Sequence, residues 1–132
     1  LIDQNERFCQ MNGVMVCTSN CRELRSARIA TTSPLALSAS GVAGFNQLAA
    51  RAAVTTYGGD CYNYALLAAG HIDLVMEDSL APHDIMAVVA VMQAAGATVT
   101  DTAGRPIIHR QSTSILAAAT PRLHAAALAA LA

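Results

Sequence analysis

The sequence predicts an α/β fold, a layered sheet with flanking helices. Three observations lead there. β-prone runs alternate with stretches of helical periodicity, and Gly, Pro and Asn punctuate the alternation. In addition, 54% hydrophobic against 13% charged residues give the 132-residue chain enough apolar side chains for a real core.

The elements follow in order. Glu6 to Thr18 reads as a hairpin, with Met15 to Thr18 a β-prone run opened by the turn dipeptide Asn12-Gly13. Leu1-Ile2 resembles the middle of a strand, which hints at polypeptide upstream. Arg28 to Thr32 is β-prone and is stopped by Ser33-Pro34. Gly41 to Ala53 spaces Val42, Phe45, Leu48 and Ala49 as a helix does. Val54 to Tyr57 returns to strand and ends at Gly58-Gly59.

From Asp60 the segment DCYNYALLAAG reads as a helix, with Asp60 as its cap and Gly70 just past its end. Ile72 to Glu77 alternates apolar and acidic residues, the pattern of a half-buried strand. SLAPHD is a loop. Asp84 to Ala95 is apolar on nearly every side, which predicts a buried helix closed by Gly96. Ala97 to Asp101 is a strand that ends in the turn TAGRP, and Ser112 to Ala118 is another. Thr120-Pro121 supplies a cap and then Pro at the first position of a terminal helix. With no internal repeat or linker, residues 1–132 read as one domain.

Composition narrows the function classes. A net charge of −1 removes the electrostatic reason to expect nucleic acid or an anionic membrane as partner. No run approaches the roughly 18 apolar residues that span a bilayer. All eight basic residues are Arg and alanine is abundant, a compositional bias from which no function is read. The first residues lack a basic, then apolar, leader pattern, so a cytoplasmic chain with reduced Cys9, Cys17, Cys21 and Cys61 is expected.

The cysteines lack the paired short spacings of a structural zinc site, and Cys61 is expected to pack as a small hydrophobe. His71, His83, His109 and His124 are scattered, and only His83 adjoins an acid in a loop. The acids say more. Asp60, Glu77 and Asp84 each follow a strand and precede a helix or loop. Ligands of open α/β sheets gather at the carboxyl ends of strands. A carboxylate at a helix start is commonly a cap, yet it also suits a hard cation such as Mg²⁺. From position alone both readings of Asp84 stay open.

The run from Tyr57 to Pro106 resembles the C-terminal portion of the inositol monophosphatase family of Mg²⁺-dependent phosphomonoesterases. The resemblance is carried by His83-Asp84-Ile85-Met86-Ala87, then Ala95-Gly96-Ala97, then Val99-Thr100-Asp101. GGDCYNYALLAAGHIDLV and ARIATTSP are more similar to the histidinol-phosphatase branch. The resemblance implies a mixed sheet with flanking helices, the C-terminal half of that fold, with the N-terminal metal-binding half absent. It implies Asp84 as a metal ligand, Gly59, Asp60 and Glu77 as substrate-binding, and Mg²⁺ as cofactor.

The implied reaction is hydrolysis of a small phosphate monoester, histidinol phosphate in histidine biosynthesis or else inositol phosphate. Asp60 suits the cationic amine or imidazole of the former. Departures are equally plain. The family's D-x-[IL]-D-G-[ST] metal segment occurs nowhere here, and His83 stands where relatives carry Trp or Tyr. This chain alone is therefore expected to be inactive, as one carboxylate holds Mg²⁺ poorly. A separately supplied N-terminal half, a homodimer, or a non-catalytic binding module that kept the fold remain the alternatives.

Overall fold

The computed structural model describes residues 8–132. The expected strand at Leu1-Ile2 and the first residues of the expected hairpin lie outside them. The hairpin itself forms from β1 (Cys9–Met11) and β2 (Val14–Val16), paired antiparallel across Asn12-Gly13. Both turn residues have positive φ, 53° and 80°, as the favoured two-residue turn requires. The second strand stops at Val16 rather than Thr18.

The main sheet contains β3 (Arg28–Thr31), β4 (Val54–Tyr57), β5 (Leu74–Glu77), β6 (Thr98–Thr100) and β7 (Ile115–Ala118). Its order is β4-β3-β5-β7-β6. β3 pairs parallel with β4 and β5, whereas β7 runs antiparallel to both β5 and β6, so the sheet is mixed. The helices are α1 (Ala39–Ala49), α2 (Tyr62–Ala68), α3 (Pro82–Ala94) and α4 (Pro121–Leu131).

Strand side chains alternate between faces, and here both faces are apolar. Leu74, Met76, Leu116 and Ala118 meet Phe45 and Leu48 of α1 and Leu123 and Ala127 of α4. Val75, Ile115 and Ala117 meet Tyr64 and Leu67 of α2 and Ile85, Val89 and Met92 of α3. The result is a layered α/β/α arrangement, and the predicted fold class holds.

Several local expectations are corrected. β5 is buried at all four positions, not half-buried, because helices cover both faces and its flanking acids are internally paired. α1 starts at Ala39, since Ser38 caps it through its hydroxyl, and it ends at Ala49 rather than Ala53. α3 begins at Pro82 and buries one stripe, Ile85, Val89 and Met92, while Met86 and Val91 face outward. β6 and β7 are shorter than read, as the residues beyond Thr100 and before Ile115 bond within the intervening loop. The α4 cap forms as expected, with Thr120 Oγ1 accepting from Leu123 N–H and Pro121 next.

Candidate active site

The parallel strands β3, β4 and β5 all end on one edge of the sheet. The chain leaves β3 for β4 on one side and returns to β5 on the other, so a crevice opens at their carboxyl ends. A depression of about 150 Å³ lies there, lined by Thr32, Ser33, Asp60, Glu77, Asp78 and Ser79 among others.

Glu77 is the last residue of β5 and is 5% exposed. Its Oε1 accepts from Thr32 N–H at 2.8 Å and from the Thr32 hydroxyl, and its Oε2 accepts from the Tyr64 hydroxyl. These donors compensate the burial of a charge that an apolar sheet end disfavours. Asp78 turns toward the opposite layer. Its carboxylate accepts from Ser38 N–H at 2.9 Å and from the Ser38 hydroxyl, which anchors the start of α1.

Gly58, Gly59 and Asp60 follow β4 with φ of 87°, 95° and 49°. Three successive left-handed residues turn the chain back over the sheet end. Gly59 must be glycine on steric grounds as well, because a Cβ there would stand 2.5 Å from Asn63 Oδ1. Asp60 is not the helix cap the sequence suggested. α2 starts at Tyr62, and the preceding Cys61 makes no side-chain cap bond. A residue at positive φ lies outside the extended geometry that a capping side chain needs. Asp60 is instead an exposed carboxylate on the depression's rim. Cys61, expected to be packed, is exposed.

Asp84 sits in the first turn of α3 with its side chain 47% exposed. Its Oδ2 accepts from Ala81 N–H at 2.9 Å, and its Oδ1 lies 3.5 Å from His83 Nε2. It does not line the depression that holds Asp60 and Glu77. Of the three acids, Glu77 is the one that accepts a hydrogen bond from Tyr64. Burial first, then the charge and hydrogen bond of Glu77, then the charges of Asp60 and Asp84, push the Tyr64 phenol far above its ordinary pKa.

Among the described residues no three His, Cys, Asp or Glu side chains come together as a metal cluster. Tyr64, Thr32, Asp78 and Ser38 were not singled out from the sequence. Tyr64 reads there as one apolar helix position among several. The one available signal was its place four residues after Asp60, one helical turn on.

A family model described as the inositol monophosphatase family matches residues 3–132. The chain belongs to the inositol monophosphatase family. It is 39% identical over 116 residues to the bifunctional phosphatase IMPL2, chloroplastic, of Arabidopsis thaliana, which covers 88% of this chain and 34% of that protein. Among solved structures, an inositol monophosphatase from Zymomonas mobilis superposes with a TM-score of 0.88 at 36% identity. That match covers 92% of this chain and 48% of the other. The extragenic suppressor protein suhB of Bartonella henselae gives a TM-score of 0.79 at 25% identity, over 91% of this chain and 46% of the other. The chain thus spans about a third of the curated relative and about half of the solved ones.

Proposed function

We propose that this inositol monophosphatase family chain is the C-terminal part of a Mg²⁺-dependent phosphate monoester hydrolase acting on histidinol phosphate. The observation that supports the reading is that Asp60 and Glu77 line one depression at the sheet's carboxyl edge, with Asp84 outside it. Among the described residues no Lys or Arg lines the Asp60–Glu77 depression, so its charge favours a ligand bearing a cation. Histidinol phosphate carries an ammonium, and inositol phosphate carries none.

In this reading Asp60 meets the ammonium or imidazole, Gly59 shapes the turn that presents Asp60, and Glu77 accepts from the same end of the substrate. Asp84 is the family-matched metal position. One of its oxygens is occupied by Ala81 N–H, and the described residues bring no two further ligands to it. A hydrated Mg²⁺ needs several oxygen ligands, so the donor set here does not fit the ion by itself. The remaining ligands and the water-activating groups belong to a half that carries D-x-[IL]-D-G-[ST], and this chain alone is inactive.

A second reading, a non-catalytic association module, draws on the outward Phe8, Val14 and Met15 of the hairpin region, each more than half exposed. The same surface suits cover by the missing half. The four free cysteines suit a reducing compartment, of which the cytoplasm is one. The Arabidopsis relative is named as chloroplastic.

One experiment separates the readings. Phosphate release from histidinol phosphate and from inositol 1-phosphate is measured with and without Mg²⁺. It is run on this chain and on a version extended upstream through the metal segment. Mg²⁺-dependent release by the extended version, with histidinol phosphate preferred, supports the proposal. Silence of the extended version on both esters sinks it in favour of the module.

A further inference from the structure

Side chains alternate along β5, so Glu77 shares a face with Val75, the face covered by α2 and α3. That places its carboxylate against Tyr64, which is 3% exposed and donates to Oε2. Thr32, the residue just past β3, gives both its N–H and its hydroxyl to Oε1. An ionised carboxylate has about four lone-pair sites, two on each oxygen. Thr32 therefore fills Oε1, and Tyr64 leaves a single site on Oε2.

The direction of the Tyr64 bond is fixed. Burial together with the charge and hydrogen bond of Glu77 keeps the proton on the Tyr64 phenol, which therefore donates. The Glu77 end of this pair lines the depression at the sheet edge, beside Ser33 and Asp60.

We propose that Tyr64 is a positioning and specificity-setting residue. By holding Glu77 it limits that carboxylate to one hydrogen bond from the non-phosphate end of the substrate, at Oε2. The inference rests on the phosphatase reading above and assigns a role to a residue that reading does not use. An amine-bearing phosphate ester gains from the open acceptor. An ester without a donor at that end gains nothing.

Tyr64→Phe removes the hydroxyl and keeps the ring. In the extended version, its KM for histidinol phosphate rises about 10-fold with kcat within about 2-fold, because Glu77, no longer held, stops presenting its open acceptor to the substrate, at the cost of one charged hydrogen bond. The KM for 4-nitrophenyl phosphate, which has no donor there, does not change. An unchanged histidinol-phosphate KM, or equal rises for both esters, overturns the proposal. Should Tyr64→Phe fail to fold, Thr32→Ala removes the hydroxyl that holds Oε1 in place and is expected to give the same selective rise.

Calorimetric titration of the 132-residue chain with L-histidinol keeps the two readings apart. Absence of phosphate release by the wild-type extended version defeats the phosphatase reading, and the titration then decides on Tyr64. Affinity weakened about 10-fold in Tyr64→Phe supports the role. Equal affinities, or no binding by the wild type, overturn it.

Discussion

Asp73 and Arg28 clasp each other at the end of the sheet opposite the candidate site. Asp73 Oδ2 accepts from the Arg28 backbone N–H and Nε, both at 2.8 Å, and Oδ1 accepts from Nη2 at 2.8 Å. The Ser19 hydroxyl adds a further bond to Oδ1, which ties the segment after the hairpin to β5. Asp73 is buried, while the Arg28 side chain is 42% exposed. Burial works to raise the Asp73 pKa, but the bonds from Arg28 and Ser19 together outweigh it and lower it.

Asp73→Asn is therefore expected to destabilise the chain by about 2–3 kcal/mol. That is less than breaking a fully buried pair costs, because water screens the arginine. The sign of the pH effect follows. A carboxylate with a depressed folded pKa contributes stability that is complete above its unfolded value near 4, and loses it as pH falls through the folded value. Urea unfolding of Asp73→Asn should show a shallower acid decline below about pH 4 than the wild type. An unaltered acid limb would remove Asp73 from the account.

His124 titrates in a different window. It lies buried on α4 with Nε2 2.8 Å from Thr100 Oγ1. Burial depresses its pKa, against a smaller raising contribution from the Leu116 backbone. The unfolded chain takes up this proton near pH 6.5 and the folded chain only lower. Stability is thus complete above that value and is lost as pH falls through the folded pKa. Between about pH 7.5 and 5.5, unfolding free energy should fall in the wild type and fall less in His124→Gln. Equal slopes in the two proteins would contradict the assignment.

Much of this fold was legible because local signals agreed with tertiary ones. Val54–Tyr57 matches its predicted bounds, and Thr120-Pro121 marks the start of α4, since each signal depends on neighbours in sequence. Ile72 to Glu77 misled for the opposite reason. The alternation rule assigns acids to solvent, yet Asp73 pairs with Arg28, and Glu77 with Thr32 and Tyr64. Two of those partners lie 45 residues away in sequence. Asp60 misled as a cap because D-C-Y-N after a strand has the right composition, whereas the left-handed run Gly58-Gly59-Asp60 rotates it away from the helix end. The insertion of β7 between β5 and β6 left no local trace at all. At the candidate site the acids were readable as residue types. Their holders, Thr32 and Tyr64, were not, because a threonine just after a strand and a tyrosine in a helix have ordinary structural uses.

Gly58 and Gly59 offer a matched pair for testing the loop that presents Asp60. Both have positive φ, so alanine at either pays the left-handed penalty of about 1–2 kcal/mol. Only at Gly59 does the new Cβ also collide, 2.5 Å from Asn63 Oδ1, whereas nothing lies within 4 Å at Gly58. Asn63 itself holds Gly58 O through Nδ2 at 2.8 Å, so the collision loosens the turn. Gly59→Ala should lower Tm by several degrees more than Gly58→Ala, about 3–6 °C for each additional kcal/mol. Indistinguishable melting points would show that the turn adapts freely.

Asp84→Asn separates a cap from a metal ligand at one position. The asparagine side chain keeps an oxygen that can accept the Ala81 N–H, so the first turn of α3 retains its bond and stability changes by less than about 0.5 kcal/mol. What the substitution removes is charge, and charge is what a hard dication requires of an oxygen ligand. In an upstream-extended version, Asp84→Asn should leave the thermal midpoint near the wild-type value. The Mg²⁺ concentration for half-maximal phosphate release should rise at least about 10-fold, the size of a lost charged interaction. A variant with the wild-type Mg²⁺ dependence and a lowered Tm would show that this carboxylate serves the helix alone. The opposite pattern, intact melting with lost metal response, would assign its outward oxygen to the ion.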